Sequence, residues 1–187
     1  MNKILLVLLL FASSAHAESG LDFVLSGGLT SGGDTLASTT TGGSLKSGGL
    51  FLISAGGLYS FEDSNFQLQA TLGYHFDELS ADNGSADFKR TTFELIPYYK
   101  ITESMRLGLG YTYITSINYS DPLDTINFKD ANGFIAEINW RMGSKSWWGF
   151  RYADIEYIAD SINGFNIGQF GIPFDGSYAG LMFHGVF

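Results

Sequence analysis

From Phe66 to Phe76 the chain changes character at every residue. Phe66, Leu68, Ala70, Leu72, Tyr74 and Phe76 fall on one face of an extended segment, and Gln67, Gln69, Thr71, Gly73 and His75 fall on the other. A period of two marks a strand with one apolar face, because a helix would repeat its apolar stripe every three or four residues. The pattern returns along the chain. Thr91, Phe93, Leu95, Pro97, Tyr99 and Ile101 alternate with Arg90, Thr92, Glu94, Ile96, Tyr98 and Lys100. Met105, Leu107, Leu109, Tyr111 and Tyr113 alternate with Arg106, Gly108, Gly110, Thr112 and Ile114. Phe134, Ala136, Ile138, Trp140 and Met142 alternate with Ile135, Glu137, Asn139 and Arg141, and Trp148, Phe150 and Tyr152 with Trp147, Gly149 and Arg151. Two less regular segments, Leu21–Leu29 and Gly49–Phe61, and a final one, Tyr178–Phe187, bring the number of expected strands to eight. In Gly49–Phe61, Phe51, Ile53, Ala55, Tyr59 and Phe61 are assigned to the outer face. Pro97 lacks the amide that an interior ladder needs, so a local bulge is expected there.

The connections between these segments alternate in length. Thr30–Gly48, Asp77–Phe88, Ser116–Asp130 and Ile158–Asp175 are long; Glu62–Asn65, Thr102–Ser104 and Gly143–Lys145 are short. This layout predicts an all-β fold, an eight-stranded antiparallel up-and-down transmembrane β-barrel with short periplasmic turns and long extracellular loops. A soluble barrel would carry the same alternation with its apolar side turned inward around a ligand. The aromatic residues argue against that arrangement. Tyr59, Phe66, Tyr99, Trp140, Trp148 and Phe187 gather at the short-turn side, and Tyr74, Phe76, Tyr111, Tyr113 and Tyr152 at the long-loop side. Two such belts fit two membrane interfaces, whereas a cavity lining has no reason to segregate its rings.

The first residues fit export. Asn2 and Lys3 precede an apolar run from Ile4 to Phe11, and Ala15-His16-Ala17 offers a small-residue cleavage site, so residues 1–17 read as a signal peptide and 18–187 as the barrel domain. No cysteine is present, which excludes a disulfide framework and thiol chemistry. The 24 Gly, 10 Tyr and 16 Phe against 3 Pro suit strands joined by turns. A net charge of −9 makes nucleic acid an unsuitable partner, since phosphate binding needs a basic surface. In the last strand, Leu181, Phe183 and Phe187 share the apolar face with Ala179, Gly185 being its weak member, and form an aromatic-terminated membrane-insertion signal.

If the apolar face meets lipid, the polar face fills an interior too narrow for an open channel. Arg90, Glu94, Lys100, Arg106, Glu137, Arg141 and Arg151 all fall on that inner face. Counted from the short turns, Glu137 and Arg151 share mid-barrel depth. Lys100, Arg106 and Arg141 lie nearer the periplasmic end, and Arg90 with Glu94 nearer the outside. The expectation is a paired polar plug in which arginine forks satisfy carboxylates. A narrow passive channel along the same residues is the alternative.

Eight alternating segments, short turns opposite long loops, the export signal and terminal Phe187 together resemble the small outer-membrane barrels of the OmpA transmembrane-domain and OmpX type. The resemblance spans residues 18–187 and implies outer-membrane lipid and lipopolysaccharide as surroundings, and the barrel-assembly machinery as partner during insertion. It implies no single function, because members include structural anchors, adhesion proteins, channels for small hydrophobic solutes and lipid A-modifying enzymes. Enzymatic chemistry is the least supported. His75, followed by Asp77 and Ser80, fits a rim histidine better than a base, His184 has no evident serine partner, and no His-x-Ser-Asn arrangement of the lipid A deacylase kind is present. No cofactor or metal site is assigned. The loop carboxylates Asp77, Glu78, Asp82, Asp87, Asp121, Asp124, Asp130, Asp154, Glu156, Asp160 and Asp175 outnumber Lys46, Lys89 and Lys129. They read as a solvated acidic rim, a divalent cation shared with lipopolysaccharide phosphates being the sharper alternative. Asp82–Asp87 lacks the spacing of a calcium loop. The apolar Ile158, Ile162, Phe165, Ile167, Phe170, Ile172 and Phe174 fit either a protruding hairpin that meets an extracellular protein partner or a lid over the mouth.

Overall fold

Each segment with the two-residue period is a strand in the computed structural model, which describes residues 20–39, 42–81 and 84–187. The expected signal peptide, Asp82 and Asn83 lie outside the described residues. The eight long strands are β1 (Leu21–Ser31), β2 (Phe51–Ser60), β3 (Phe66–Ala81), β4 (Gly84–Thr102), β5 (Met105–Ser120), β6 (Ala131–Arg141), β7 (Ser146–Ile162) and β8 (Tyr178–Val186). Each pairs antiparallel with its successor, as in Leu21 opposite Tyr59, Phe66 opposite Tyr99 and Arg151 opposite Glu137. The last pairs with the first from Val24 opposite Val186 to Ser31 opposite Ala179. The result is an eight-strand hydrogen-bonded ring of barrel-like topology, which leaves no open sheet edge in its body. Phe187 extends the seam: its amide donates to the Phe23 carbonyl at 2.9 Å and its carbonyl accepts from the Phe23 amide at 3.2 Å.

The two faces of the ring follow the sequence pattern. Leu25, Leu72, Leu109, Phe134, Phe150 and Leu181 are exposed on the outside, while Gln69, Thr71, Glu94, Glu137, Arg151 and His184 are buried inside. The less regular β2 obeys the same rule, with Phe51, Ile53, Tyr59 and Phe61 outward and Leu52, Ser54 and Leu58 inward.

Three expectations change. First, Asp77–Ala81 and Gly84–Phe88 are strand rather than loop, because β3 and β4 stay in register as far as Ala81 opposite Gly84. Alternation persists here with a polar outer face, and its acidic residues imitate a loop in sequence. Second, the ladder holds one register on both sides of Pro97, with Leu95 opposite Tyr111 and Tyr98 opposite Gly108. The proline costs local pairing with β5 and inserts no residue. Third, the bulges fall elsewhere. One extra residue enters β5 where the register shifts between Lys89 and Thr91, and Ser116 there takes φ 50s-range left-handed geometry, at 55°. Beyond that point Ile117 and Tyr119 face inward, where unbroken alternation from Thr112 and Ile114 would place Ser116 and Asn118.

Above the polar interior, at the long-loop end, the inner face becomes apolar. Phe88, Ile114, Ile117, Tyr119, Phe128, Ile155 and Tyr157 form one buried cluster. The first long connection folds into a small hairpin, Thr35–Ser38 with Ser44–Lys46, and inserts Leu45 into that cluster with no exposure. The third and fourth connections add short strands, Thr125–Phe128 and Pro173–Asp175, both paired with β7. Phe174 packs at the side of the cluster, its ring 5.3 Å from that of Phe128. The last connection therefore combines both sequence readings: part of it extends the sheet and part roofs the mouth. Leu45→Ala should cost about 2–5 kcal/mol of stability, as expected for truncating a fully buried leucine, and Leu123→Ala at an exposed turn less than about 0.5 kcal/mol. Urea midpoints of the two refolded variants check this contrast.

Candidate functional site

A buried ion-pair cluster is centred on Arg151, carried on the inner face of β7. Its Nε donates to Glu137 Oε2 on neighbouring β6 at 2.8 Å. Its Nη1 donates to Glu94 Oε1 and Oε2 at 2.8 and 3.0 Å. Because β4 and β7 are three places apart in the ring, the bond to Glu94 crosses the lumen. Glu137 Oε1 also accepts from the Tyr98 hydroxyl at 3.1 Å and the Asn139 amide at 2.8 Å. All three charged side chains are almost wholly enclosed, so the desolvation of two carboxylates and one guanidinium is offset by this full set of charge-assisted hydrogen bonds.

His184 completes the cluster from β8. Its Nε2 lies 2.6 Å from Glu137 Oε1 and its Nδ1 2.7 Å from the Ser26 hydroxyl. A carboxylate only accepts, so the proton sits on Nε2 and, in the neutral ring, the Ser26 hydroxyl donates to Nδ1. The sequence shows no serine near His184; ring closure supplies one, since Ser26 and His184 are paired across the β1–β8 seam. Serine, histidine and carboxylate in a row invite comparison with a nucleophile and its base. Their enclosure opposes it: Ser26 is 3% exposed and His184 not at all, so no acyl substrate reaches the hydroxyl.

The other residues assigned to the interior separate into two groups. Arg106 is buried near the short-turn end between the rings of Tyr98 and Trp147, 3.9 and 4.6 Å from their centroids, and donates to Gln67 Oε1 at 3.1 Å. Arg90 is buried near the long-loop end, 5.3 to 5.7 Å from the ring centroids of Phe88, Tyr157 and Tyr178. Neither guanidinium meets a carboxylate; ring faces and neutral oxygens hold them instead. Arg141 is exposed at the rim with its guanidinium 5.0 Å from the Trp147 ring centroid, and Lys100 enters none of the ion pairs among the described residues. The structure thus brings Glu94, Glu137 and Arg151 together and places Arg90, Arg106, Arg141 and Lys100 outside that cluster.

Arg90 ties the first long connection to the ring. Its Nη1 donates to the Ser47 carbonyl, and its Nη2 to the Gly48 carbonyl at 2.7 Å and to His75 Nδ1 at 2.7 Å. With Nδ1 accepting, His75 Nε2 carries the proton and donates to the Thr30 hydroxyl at 2.8 Å, which in turn donates a hydrogen bond to the Gly49 carbonyl at 2.9 Å. Gly49 sits at φ 73° with His75 against it; a Cβ there would lie 2.8 Å from Nε2. Ser47 also donates to the Asp34 and Asp175 carbonyls, and the Asp175 amide donates to Asp34 Oδ2 at 2.9 Å, joining the first connection to the last. His75 is therefore a latch residue engaged at both nitrogens.

At the distal tip, Asp121 caps its own turn. It accepts from the Tyr119 hydroxyl at 2.6 Å and from the Leu123 and Asp124 amides at 2.8 and 2.7 Å. These donors, the Tyr119 hydroxyl foremost, hold its carboxyl below the usual carboxylate range. The capped turn accordingly keeps its carboxylate through that range and loosens only as pH falls below it, through the lowered Asp121 pKa. Among the described residues no group of three or more His, Cys, Asp or Glu is placed to hold a metal ion.

These features define an all-β, barrel-like protein whose interior is packed rather than hollow. The crystal structure of Neisserial surface protein A (NspA) is similar to it, with a TM-score of 0.50 at 11% sequence identity, covering 90% of this chain and 96% of that one. At that identity the likeness is one of fold. No protein-family model and no curated protein sequence matches the chain.

Arg151→Met, which keeps the bulk and removes the charge, should leave Glu94 and Glu137 without their cation and cost about 3–5 kcal/mol. Arg141→Met at the exposed rim should cost less than about 0.5 kcal/mol. Chemical unfolding followed by far-ultraviolet circular dichroism reads both.

Proposed function

We propose that the chain is a bacterial outer-membrane β-barrel protein of the OmpA transmembrane-domain and OmpX kind, with a structural or surface-interaction role and no catalytic activity. In this reading the ring spans the bilayer, the short turns are periplasmic and the long connections extracellular. The outer face supports it. Between a row containing Tyr59, Phe66, Tyr99 and Trp148 and a row containing Tyr74, Tyr111, Tyr113 and Tyr152, that face is apolar. Beyond the second row the same face carries Ser85, Lys89, Asn118, Asp154 and Glu156, as a sheet leaving lipid for water must. Leu181, Phe183 and Phe187 are exposed on the lipid-facing side of β8, where the assembly machinery would read them as an insertion signal. The likeness in fold to NspA, a surface protein by name, agrees with this location.

The observation that carries the role is the occupied lumen. Arg106 with Tyr98 and Trp147 fills it near the short turns, Arg151 with Glu94 and Glu137 bridges it at mid-depth, and the Phe88, Phe128 and Tyr157 cluster roofs it with Leu45. A conducting path would have to break a buried ion pair and unseat an apolar cap, which supports the plugged reading over the channel. The interior charges are then structural, and outer-membrane lipid and lipopolysaccharide are the surroundings of the ring. Refolded protein in planar bilayers should show no steady unitary conductance; a steady open state in the wild type that changes with Glu137→Gln would refute the plug.

A further inference from the structure

Leu123, Phe165 and Phe170 are 86%, 77% and 68% exposed, and all three lie in the connections that rise beyond the apolar band of the ring. Neither lipid nor the core covers them. They belong to one tip, since the Asn163 side chain donates to Asp124 Oδ1 at 2.9 Å and accepts from the Thr125 amide at 2.8 Å, joining the turn that holds Leu123 to the turn that leads into Phe165. The Ile167 amide donates to the Asp160 carbonyl at 2.8 Å, and the Phe170 amide to the Ile167 carbonyl at 2.9 Å, which fixes the segment bearing Phe170 to the same end of β7. The backbone is ordered by these bonds while the apolar side chains project outward.

The charge around them is net negative. Asp121 and Asp124 flank Leu123 in its turn, and the Asp160 carboxylate lies beside Gly168, two residues before Phe170. The neighbouring cation, Lys129, donates to the Gly168 carbonyl at 2.8 Å and offsets one of these carboxylates, and the next one down the sheet, Lys89, is paired with Asp87 at 3.0 Å. Apolar anchors inside an acidic surround select against anionic and neutral surfaces and in favour of a segment that offers apolar side chains among basic ones.

Resting on the surface-interaction reading above, we propose that this tip is a docking surface for a cationic amphipathic polypeptide segment, with Leu123, Phe165 and Phe170 as its apolar anchors and Asp121, Asp124 and Asp160 as its charge selectors. The apolar contacts give the affinity and the carboxylates give the sign preference and speed of encounter. A docked segment also removes from water the side chains that the fold leaves there.

The probe is a short synthetic peptide with Lys and Leu at helical spacing, labelled for fluorescence anisotropy. Its comparisons are a counterpart with Glu in place of Lys and another with Ser in place of Leu, and the receptor is the full chain in nanodiscs of zwitterionic phosphatidylcholine. The Lys/Leu peptide should bind, more weakly as salt rises, and both counterparts should bind at least about tenfold less tightly. The combined variant Leu123→Ser, Phe165→Ser, Phe170→Ser should lose about tenfold or more of the affinity. Asp124→Asn with Asp160→Asn, which removes the charges at nearly unchanged size and keeps one accepting oxygen at each position, should flatten the salt dependence. Circular dichroism melts matching wild type establish that the variants fold. Absence of binding, equal binding of the Glu counterpart, or unchanged affinity in the triple variant overturns the proposal. Adhesion of cells displaying the protein is measured in parallel. Adhesion that requires the tip although the cationic peptide does not bind overturns the partner chemistry and leaves the surface role standing. Peptide binding that meets every criterion above supports the tip as a docking surface even where adhesion is unaffected.

Discussion

The pairing of β1 with β8 is the constraint on which the rest depends. A strand presents amides and carbonyls on both sides, and a sheet of eight antiparallel strands has two unpaired edges unless the last meets the first. From Val24 opposite Val186 to Ser31 opposite Ala179 the seam satisfies those groups, and the Phe23 and Phe187 backbones carry it one step further. In the bilayer setting proposed for this chain, no water is available to satisfy an open edge, so closure is a condition of stability. It also creates an enclosed interior, and enclosure is what gives the buried charges their meaning.

Inside that enclosure two kinds of packing are stacked. The lower and middle levels are polar and depend on cross-lumen bonds, with Arg151 joining β7 to β4 and β6, and Arg106 reaching Gln67 across β4. The upper level resembles a small soluble core, built from Phe88, Phe128 and Tyr157 and closed by Leu45. Arg90 stands at the junction. With ring faces around it and the Ser47 and Gly48 carbonyls in front, it binds the first connection to the ring through a charge that needs no carboxylate. Its position explains why the cap is seated over the mouth and why the interior is closed at that end.

Much of this architecture is legible in the residues. The two-residue period identifies the strands, and the face of each outward side chain follows from it, even in β2, where both faces are apolar. The period fails where geometry intervenes. Asp77, Glu78 and Asp87 look like loop and are strand, because the sheet keeps its pairing there while its outer face turns polar. The residue added to β5 at Ser116 turns Ile117 and Tyr119 inward, and nothing in the local alternation announces it. At Pro97 the expected bulge is absent, since the loss of one amide is accommodated without adding a residue.

The site follows the same division. Which side chains are inward, and that both signs of charge are among them, is a property of the sequence alone, because period and face are local. Which of them meet is not. Glu94 and Arg151 are 57 residues apart, and Ser26 and His184 are 158 apart, so their contacts exist only after register and ring closure set strand against strand. By itself the sequence determines an alternating chain with an apolar outside and a charged inside; the tertiary structure decides that one arginine bridges two carboxylates while two others rest on aromatic rings. The physical reason is that a strand's period is set by its backbone, whereas the partner of a buried charge is set by whatever the closed ring places within hydrogen-bonding distance.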